Sequence, residues 1–476
     1  MAMESVRQFS AILATGAILG QPPRAKPVQK NCSHLTASRL IKLVTDCLDE
    51  IPDHRPNQCK NGIPFGNFTK SAFAMMQVKM PSMLRFDSER ADPVRVHNLE
   101  TLFDVIDGRV PCDTRMREVM DPVSPHWLQK SFKKLFARVQ RSGYLQKFEF
   151  PIGRLKNHYL LAIDGTQTFF SGKLSCDDCC TKNQGKAGEA FYHQLMGDCI
   201  VHPDQKVVIP LAPEAIVRQD GCTKNDSEKS AIKRFLANVK KDHPYLKLII
   251  LLDGLYADGP TIRLIKSYGW HYIIIAKDGN HGPLIEAMDE LDKQEKVARF
   301  VKTDPETGVK HWYRFANDVP LNKSNPDEKV NVLDFVETDK KGDRHTWSWV
   351  TDIPVTEKTI EALMKGGRCR WHIENQTFNT LNKQDYHLEH NYGHGKQHLA
   401  TNLAYLTVLA FLVDQLQQLG SPEFQKALKE RTRGVMTHLW ELMKGYFQTW
   451  LIISWEGFFD AIINRAVAGV VPYDSS

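Results

Sequence analysis

The apolar and polar positions fall into two rhythms that meet near residue 150. Before it the spacing is helical. Leu40, Ile41, Val44 and Leu48 recur on one side of a helix that Thr36 can cap, and a second apolar segment over 71–80 is ended by Pro81. Shorter helices are expected at 98–106 and 114–120. The clearest helix begins at Ser124-Pro125, a cap residue followed by proline in the first turn, and stops at Gly143. Leu128, Phe132, Leu135, Phe136 and Val139 form its apolar side. The first thirty residues mix Gly, Pro and a few basic residues, and predict a loose arm.

After Pro151 strands and helices alternate. Residues 159–164 read as a central strand ending at Asp164, with Gly165 beginning a turn, and 199–202 and 206–212 as further strands. A helix over 227–241 leads into 246–253, an almost wholly apolar run expected of a strand buried on both faces, which ends in Asp253 and Gly254. A helix over 261–268 and a strand over 270–276 follow. Residues 277–355 interrupt this rhythm with a helix at 284–291 and alternating stretches at 298–302, 310–316, 329–338 and 345–350. Turn-forming residues at 304–308 and 339–343 complete an antiparallel insertion. The α/β pattern then resumes with a helix near 357–364, a break at Gly366-Gly367 and a helix over 369–383. From Gln397 onward the signal is helical, with Gly420-Ser421-Pro422 between two helices. The expected divisions are a mostly helical region (1–150), an α/β core (151–276), a β-rich insertion (277–355), the returning core (356–420) and a helical C-terminal region (421–476).

Composition narrows the class. With 476 residues, 42% of them hydrophobic, the chain can build several ordinary cores. A net charge of +6 is mild, so a nucleic-acid surface must be a local patch. One such patch is Lys130, Lys134, Arg138 and Arg141, on one side of the helix that follows Ser124. Such a stripe can neutralise DNA phosphates without reading sequence, which would make 1–150 a DNA-binding region; the alternative is a solvated helix face. Ten cysteines in a chain of this size are no small-domain disulfide framework, and no signal peptide is evident, so a reducing, cytoplasmic setting is expected. The longest apolar run, 399–419, carries polar residues including Asn402, Asp414 and Gln415, and predicts a buried core helix rather than a membrane span.

The candidate chemistry centres on Glu374. At helical spacing Trp371, Glu374, Phe378 and Leu381 share one face, which embeds a carboxylate in an apolar stripe. A buried acid needs a partner. Asp164 and Asp253 each close an apolar strand, where open α/β sheets carry functional residues. Asp258 and Asp278 compete for the second position, and Glu374 could instead pair with Arg370 one turn earlier. Three carboxylates brought together cannot all stay ionised without a cation, and Mg²⁺ or Mn²⁺ suits such hard oxygen donors. Two such ions about 3.5–4 Å apart activate a water or a 3′-hydroxyl for in-line attack on a phosphodiester.

These residues carry a family likeness. The strand 160–166, the strand 249–254, the β-rich interruption, and Arg370-Trp371-His372-Ile373-Glu374 followed by Phe378, Leu381 and Lys383 resemble the DDE transposases of bacterial insertion sequences. The chain looks like the subgroup whose RNase H-like catalytic domain has a β-rich insertion before the last acid. The likeness covers roughly 159–419 and includes Tyr192-His193-Gln194, 219–226 and 388–396. It implies an RNase H-like mixed sheet with helices, with Asp164, Asp253 and Glu374 as catalytic and metal-binding acids. It also implies that Arg370 is an arginine contacting DNA phosphate near the cleavage site, that double-stranded DNA is the substrate, and that a homodimer holds two ends. Two positions depart from the signature: Gly367 stands where the family has tyrosine and Leu381 where it has lysine, so Lys383 is the candidate replacement. The expected activity is metal-dependent cleavage and transfer of DNA strands at the ends of a mobile element. A metal-dependent nuclease without strand transfer, or a silent DNA-binding descendant, are the alternatives.

Three further features invite chemistry. Cys176, Cys179 and Cys180, with His193 beyond, offer thiolate and imidazole for a structural zinc, but the spacing does not yield four ligands and a second C-x-x-C is missing, so free thiols are expected. His390, His394 and His398 recur every four residues, but Gly393 and Gly395 argue against one helical metal face. The stretch Gly393–Lys396 instead predicts phosphate approach, with Lys396 in contact, at the start of the next helix. Trp312, Trp347 and Trp349 are expected to pack in the insertion, unless one is exposed and stacks on a flipped base.

Overall fold

The computed structural model describes residues 34–56, 62–176, 178–217, 224–276, 281–303, 308–322, 324–338, 342–465 and 470–472. The N-terminal arm, Asp278, most of 219–226 and most of the residues expected to turn at 304–308 and 339–343 lie outside them.

The helical N-terminal region is built much as its apolar spacing requires. Helix α1 (Ala37–Asp49) buries Leu40, Ile41, Val44 and Leu48 and follows Thr36 in extended conformation. Helix α2 spans Phe65–Gln77, six residues earlier than the pattern from Ser71 suggested, because Asn67, Thr69 and Lys70 are buried too and do not read as apolar. After α3 (Met83–Glu89), α4 (Pro93–Phe103) and α5 (Asp113–Met120), helix α6 (His126–Arg141) buries Leu128, Phe132, Leu135, Phe136 and Val139. It ends at Gly143, whose φ of 77° is the left-handed stop that glycine adopts cheaply.

One sheet carries the rest. Its order is β2 (Cys180–Lys182), β3 (Ala190–Val201), β1 (Tyr159–Ser171), β5 (Leu248–Leu252), β6 (His271–Ile275), β10 (Arg344–Thr351), β9 (Asn325–Thr338), β8 (Lys310–Asn322) and β7 (Ala298–Thr303), with β4 (Glu214–Ile216) also on β3. Strands β1, β5 and β6 are parallel; β3 runs antiparallel to β1. The mixed order, with α7 (Lys224–Asp242) and α8 (Gly259–Ser267) as crossovers, is RNase H-like. Strand β10 pairs antiparallel with β6, so the β-rich stretch after α9 (Gly282–Lys293) widens the core sheet.

Four expectations are corrected. Strand β1 does not turn at Gly165 but continues to Ser171, because β3 pairs with it residue by residue through that point. Residues 206–212 form no strand; Ile209 makes a single bridge to Ile200. Helix α10 (Ile360–Arg368) passes through Gly366-Gly367, and the break comes at 369–370. The region after α12 (Leu399–Gly420) is not all helical: α13 (Pro422–Thr432), α14 (Met436–Thr449) and α15 (Trp455–Asn464) are accompanied by a small pair, β11 (Trp450–Ile452) and β12 (Val470–Pro472). Helix α12 is long and apolar enough to cross a membrane, yet its apolar stretch is wholly buried within the protein, between the N-terminal helices and the sheet.

Candidate active site

Parallel pairing places the first two acids side by side. Tyr159–Ala162 of β1 pair in register with Leu248–Leu251 of β5, so Asp164 and Asp253 each stand two positions beyond the last pair. Asp253 closes its strand, and its carboxylate accepts the Leu255 amide at 2.9 Å; Asp164 accepts the Gly165 amide at 2.9 Å. The third acid arrives on a helix. After α10 the chain makes a turn at 369–370, then a π-helix over Ile373–Phe378, then α11 (Asn379–Lys383). π-turns are rare and concentrate at functional sites.

That geometry changes the expected face. Trp371 is 57% exposed, while Ile373, Thr377 and Leu381 are buried and Phe378 is half-buried. The wider π-turn and the preceding break rotate Trp371 outward, so Glu374 is not embedded in an apolar stripe. Its side chain is 41% exposed, and the buried charge is Arg370. Phe378 seats the helix on the sheet: a Cβ on Gly197 would lie 2.6 Å from its ring, and Gly197 is the β3 partner of Asp164. Thr377 adds a contact to Cys199 at 3.3 Å.

The charges converge on Arg370. One guanidinium nitrogen lies 3.2 Å from Asp164 Oδ2 and the other 2.5 Å from Glu374 Oε1. The pairing of Glu374 with Arg370 and the joining of Glu374 to Asp164 are therefore one arrangement. Burial pushes the Asp164 carboxyl above the usual carboxylate range; Arg370 pulls it back, and the charges of Asp253 and Glu374 push it up again. Burial likewise raises the Tyr256 hydroxyl, helped by Glu228, Asp253, Asp164 and Asp258. Glu228, on α7, is a fourth carboxylate that sequence reasoning passed over; a Cβ on Gly165 would lie 3.0 Å from it. Nothing in its local pattern distinguishes it from a solvated helix residue. Asp258 instead caps α8, accepting the Thr261 amide at 2.9 Å.

The two departures from the signature have steric causes. A Cβ on Gly367 would sit 2.5 Å from Trp349 Nε1, so the indole fills the space a larger side chain would need. Leu381 is 1% exposed, a core position, whereas Lys383 at the end of α11 is exposed. Alongside the helix runs a cleft of about 530 Å³ lined by Trp347, Trp371, Arg368, His372 and Gln376. Trp349 is buried; Trp347 stacks on Phe335 and beneath Arg368; Trp312 is 48% exposed.

Two of the other basic candidates are paired within the fold. Lys134 and Lys130 reach Glu50 at the end of α1, at 2.5 and 3.8 Å, and Arg138 lines the same groove between α1 and α6. The Arg141 side chain is exposed at the end of α6. The helix start expected to meet a phosphate is closed by Asp121, whose carboxylate accepts the amides of Lys396, Gln397 and Leu399 at 2.9, 3.0 and 3.1 Å. The Lys396 side chain itself is exposed.

The mixed sheet, with Asp164 and Asp253 on neighbouring parallel strands and Glu374 beside Asp164 on a helix, is an RNase H-like fold. The match of residues 157–412, more than half of the chain, to the family model "Transposase DDE domain" makes the family explicit: the protein belongs to the DDE transposases. No curated protein matches the chain.

Proposed function

We propose that this transposase cleaves DNA at the ends of an insertion sequence and transfers the freed strand to target DNA, using Asp164, Asp253 and Glu374. The observation that carries this reading is the joining of Asp164 and Glu374 through Arg370, with Asp253 at the matching position of the next strand. Three hard carboxylates at one place suit Mg²⁺ or Mn²⁺. Asp164, Asp253 and Glu374 would hold two such ions, which would supply a nucleophilic oxygen at neutral pH and charge stabilisation for the leaving oxygen.

The chain's own residues set the rest. The acids fix where the scissile phosphate must lie, and Arg370, released from one carboxylate, is placed to hold a phosphate oxygen by charge-assisted hydrogen bonds. Attack by water breaks the phosphodiester and leaves a 3′-hydroxyl; attack by that hydroxyl on target DNA forms a new phosphodiester and expels a target 3′-oxygen. Lys383, Lys396 and the α6 residues Lys130, Lys134, Arg138 and Arg141 are proposed to contact the DNA backbone, with α6 first giving up its Glu50 pairs. Exposed Trp371 and Trp312 offer stacking faces for an unpaired base. A homodimer, one protomer per end, is the proposed working form.

The test uses a duplex carrying the terminal repeats that flank the coding region. Asp164→Ala, Asp253→Ala and Glu374→Ala are each expected to lower Mg²⁺-dependent cleavage by at least about 100-fold while end binding survives. Full cleavage by all three variants would refute the assignment. With a pre-cut 3′-hydroxyl end and a target plasmid, joined products separate transposition from simple nuclease action.

A further inference from the structure

Outside the acid site, four metal-ligating side chains from distant parts of the chain meet at one point. Cys176 and Cys179 lie between β1 and β2, His193 is on β3, and His394 is in the segment between α11 and α12. Their ligand atoms all lie within 4.8 Å of one another. Cys176 Sγ and Cys179 Sγ are 3.7 Å apart; both are 3.4 Å from His193 Nε2; Cys179 Sγ is 3.2 Å and His193 Nε2 3.2 Å from His394 Nε2.

We propose that Cys176, Cys179, His193 and His394 bind one zinc ion in a closed, structural Cys₂His₂ site. Zn–S bonds of about 2.3 Å and Zn–N bonds of about 2.0–2.1 Å at tetrahedral angles imply S···S near about 3.8 Å, S···N near about 3.5 Å and N···N near about 3.3 Å. Five of the six separations match that set to within a few tenths of an ångström, and the sixth, Cys176 Sγ to His394 Nε2, falls within the 4.8 Å that spans all four atoms. A disulfide is a different geometry, with sulfurs about 2.05 Å apart.

The tautomer of His394 agrees. Its Nδ1 is 2.9 Å from the Gly395 carbonyl, which can only accept, so Nδ1 carries the proton and Nε2 turns a lone pair toward the thiols. Metal-binding histidines are commonly held by such a second bond. Three of the four residues are buried, and Phe169 packs against both imidazoles at 5.7 and 4.6 Å, which shields the point from solvent. A closed site with no position for substrate is structural rather than catalytic.

The site corrects two sequence expectations. Cys180 is not a ligand; its sulfur faces the Ile216 carbonyl at 3.8 Å. The missing fourth ligand is His394, which recurs at four-residue spacing with His390 and His398 in a stretch where Gly393 and Gly395 speak against a metal face. His398 instead pairs with Asp178 at 3.3 Å. The metal would clip the chain that follows the Glu374 helix to the β1–β3 hairpin whose first strand bears Asp164.

The experiment measures metal in full-length protein purified without chelator or metal-affinity tag. Elemental analysis is expected to give about one zinc per chain in the wild type and in Cys180→Ser, and less than about 0.1 in Cys179→Ser and His394→Ala. His394→Cys, which keeps four ligands, is expected to retain zinc. With Co²⁺ in place of zinc, the wild type should show tetrahedral bands with sulfur-to-cobalt charge transfer, strengthened in His394→Cys. Wild-type protein that holds no zinc after equilibration with Zn²⁺ under reducing conditions, or zinc retained in both loss variants, would overturn the assignment. A native Cys176–Cys179 disulfide in freshly isolated protein would also overturn it.

Discussion

Arg370 is 7% exposed and its guanidinium touches two of the three acids, so its removal has consequences apart from DNA contact. Arg370→Gln leaves Asp164 and Glu374 facing one another without a counter-charge. Because both carboxylates keep some solvent, the cost in metal-free buffer is about 1–2 kcal/mol. Added Mg²⁺ is expected to raise the melting temperature of Arg370→Gln more than that of the wild type, by replacing the lost positive charge; equal shifts would argue that the acids hold no metal. At the same scale, Gly367→Tyr would restore the family's residue but drive it into Trp349, at an expected cost of about 1–3 kcal/mol. Adding Trp349→Gly should recover part of that loss in thermal unfolding. The adjacency of Asp164 and Asp253 was legible in the chain because each follows an apolar run. The reason for Gly367 was not, since it depends on an indole arriving from β10.

At the scale of elements, the seat of the Glu374 helix depends on a glycine in another strand. Gly197 lies opposite Asp164 and leaves room for the Phe378 ring. Gly197→Val is expected to push Phe378 and the π-helix away from β3 and lower cleavage at least about 10-fold, because displacements of about 1 Å at a catalytic group are costly. Its circular dichroism should match the wild type, and Gly197→Val with Phe378→Ala should regain part of the activity. No regain would mean that Phe378 does not set the helix position. The strands were readable from alternation and from the all-apolar run of β5, and the helix was readable as a helix. Its rotation was not: a regular period of 3.6 put Trp371 inward, whereas one π-turn and a break at 369–370 put Ile373, Thr377 and Leu381 there. Lys130 and Lys134 of α6 meet Glu50, just past the end of α1, a partner distant in the chain that leaves no local trace in the sequence around them.

Across the whole molecule, two titratable contacts, one partly and one wholly buried, join elements far apart in the chain. His243, beyond α7, meets the Phe136 ring of α6 edge-on at 4.6 Å, and burial lowers its imidazole to about 4 from 6.5. A base with a lowered folded value stabilises fully above its unfolded value and loses that stability as pH falls toward the folded one. Between about pH 6.5 and 4 the unfolded chain binds the extra proton, and stability falls by up to about 3 kcal/mol. His243→Phe is expected to flatten that part of the stability–pH curve; an unchanged slope would exclude His243 as its source. The second contact lies deeper. Lys79, just past α2, and Asp414 of α12 are 2.6 Å apart with side chains 1% and 0% exposed, and Gln77 and Tyr386 also donate to Asp414, both at 2.7 Å. Lys79 Nζ lies over the rings of Tyr386 and Trp440, so one cluster joins α2, the chain after α11, α12 and α14. Burial lowers Lys79 and raises Asp414, while each opposes the shift of the other. Such a pair gives little net stability over an apolar one, but breaking it strands a charge. Asp414→Asn should therefore cost about 3–5 kcal/mol. Lys79→Met combined with Asp414→Asn should cost less than Asp414→Asn alone, because no ammonium is left unpaired, while the amide oxygen can accept from Gln77 and the amide NH2 can donate to the Tyr386 hydroxyl oxygen. Additive losses in denaturant unfolding would show that the cluster acts through packing rather than charge.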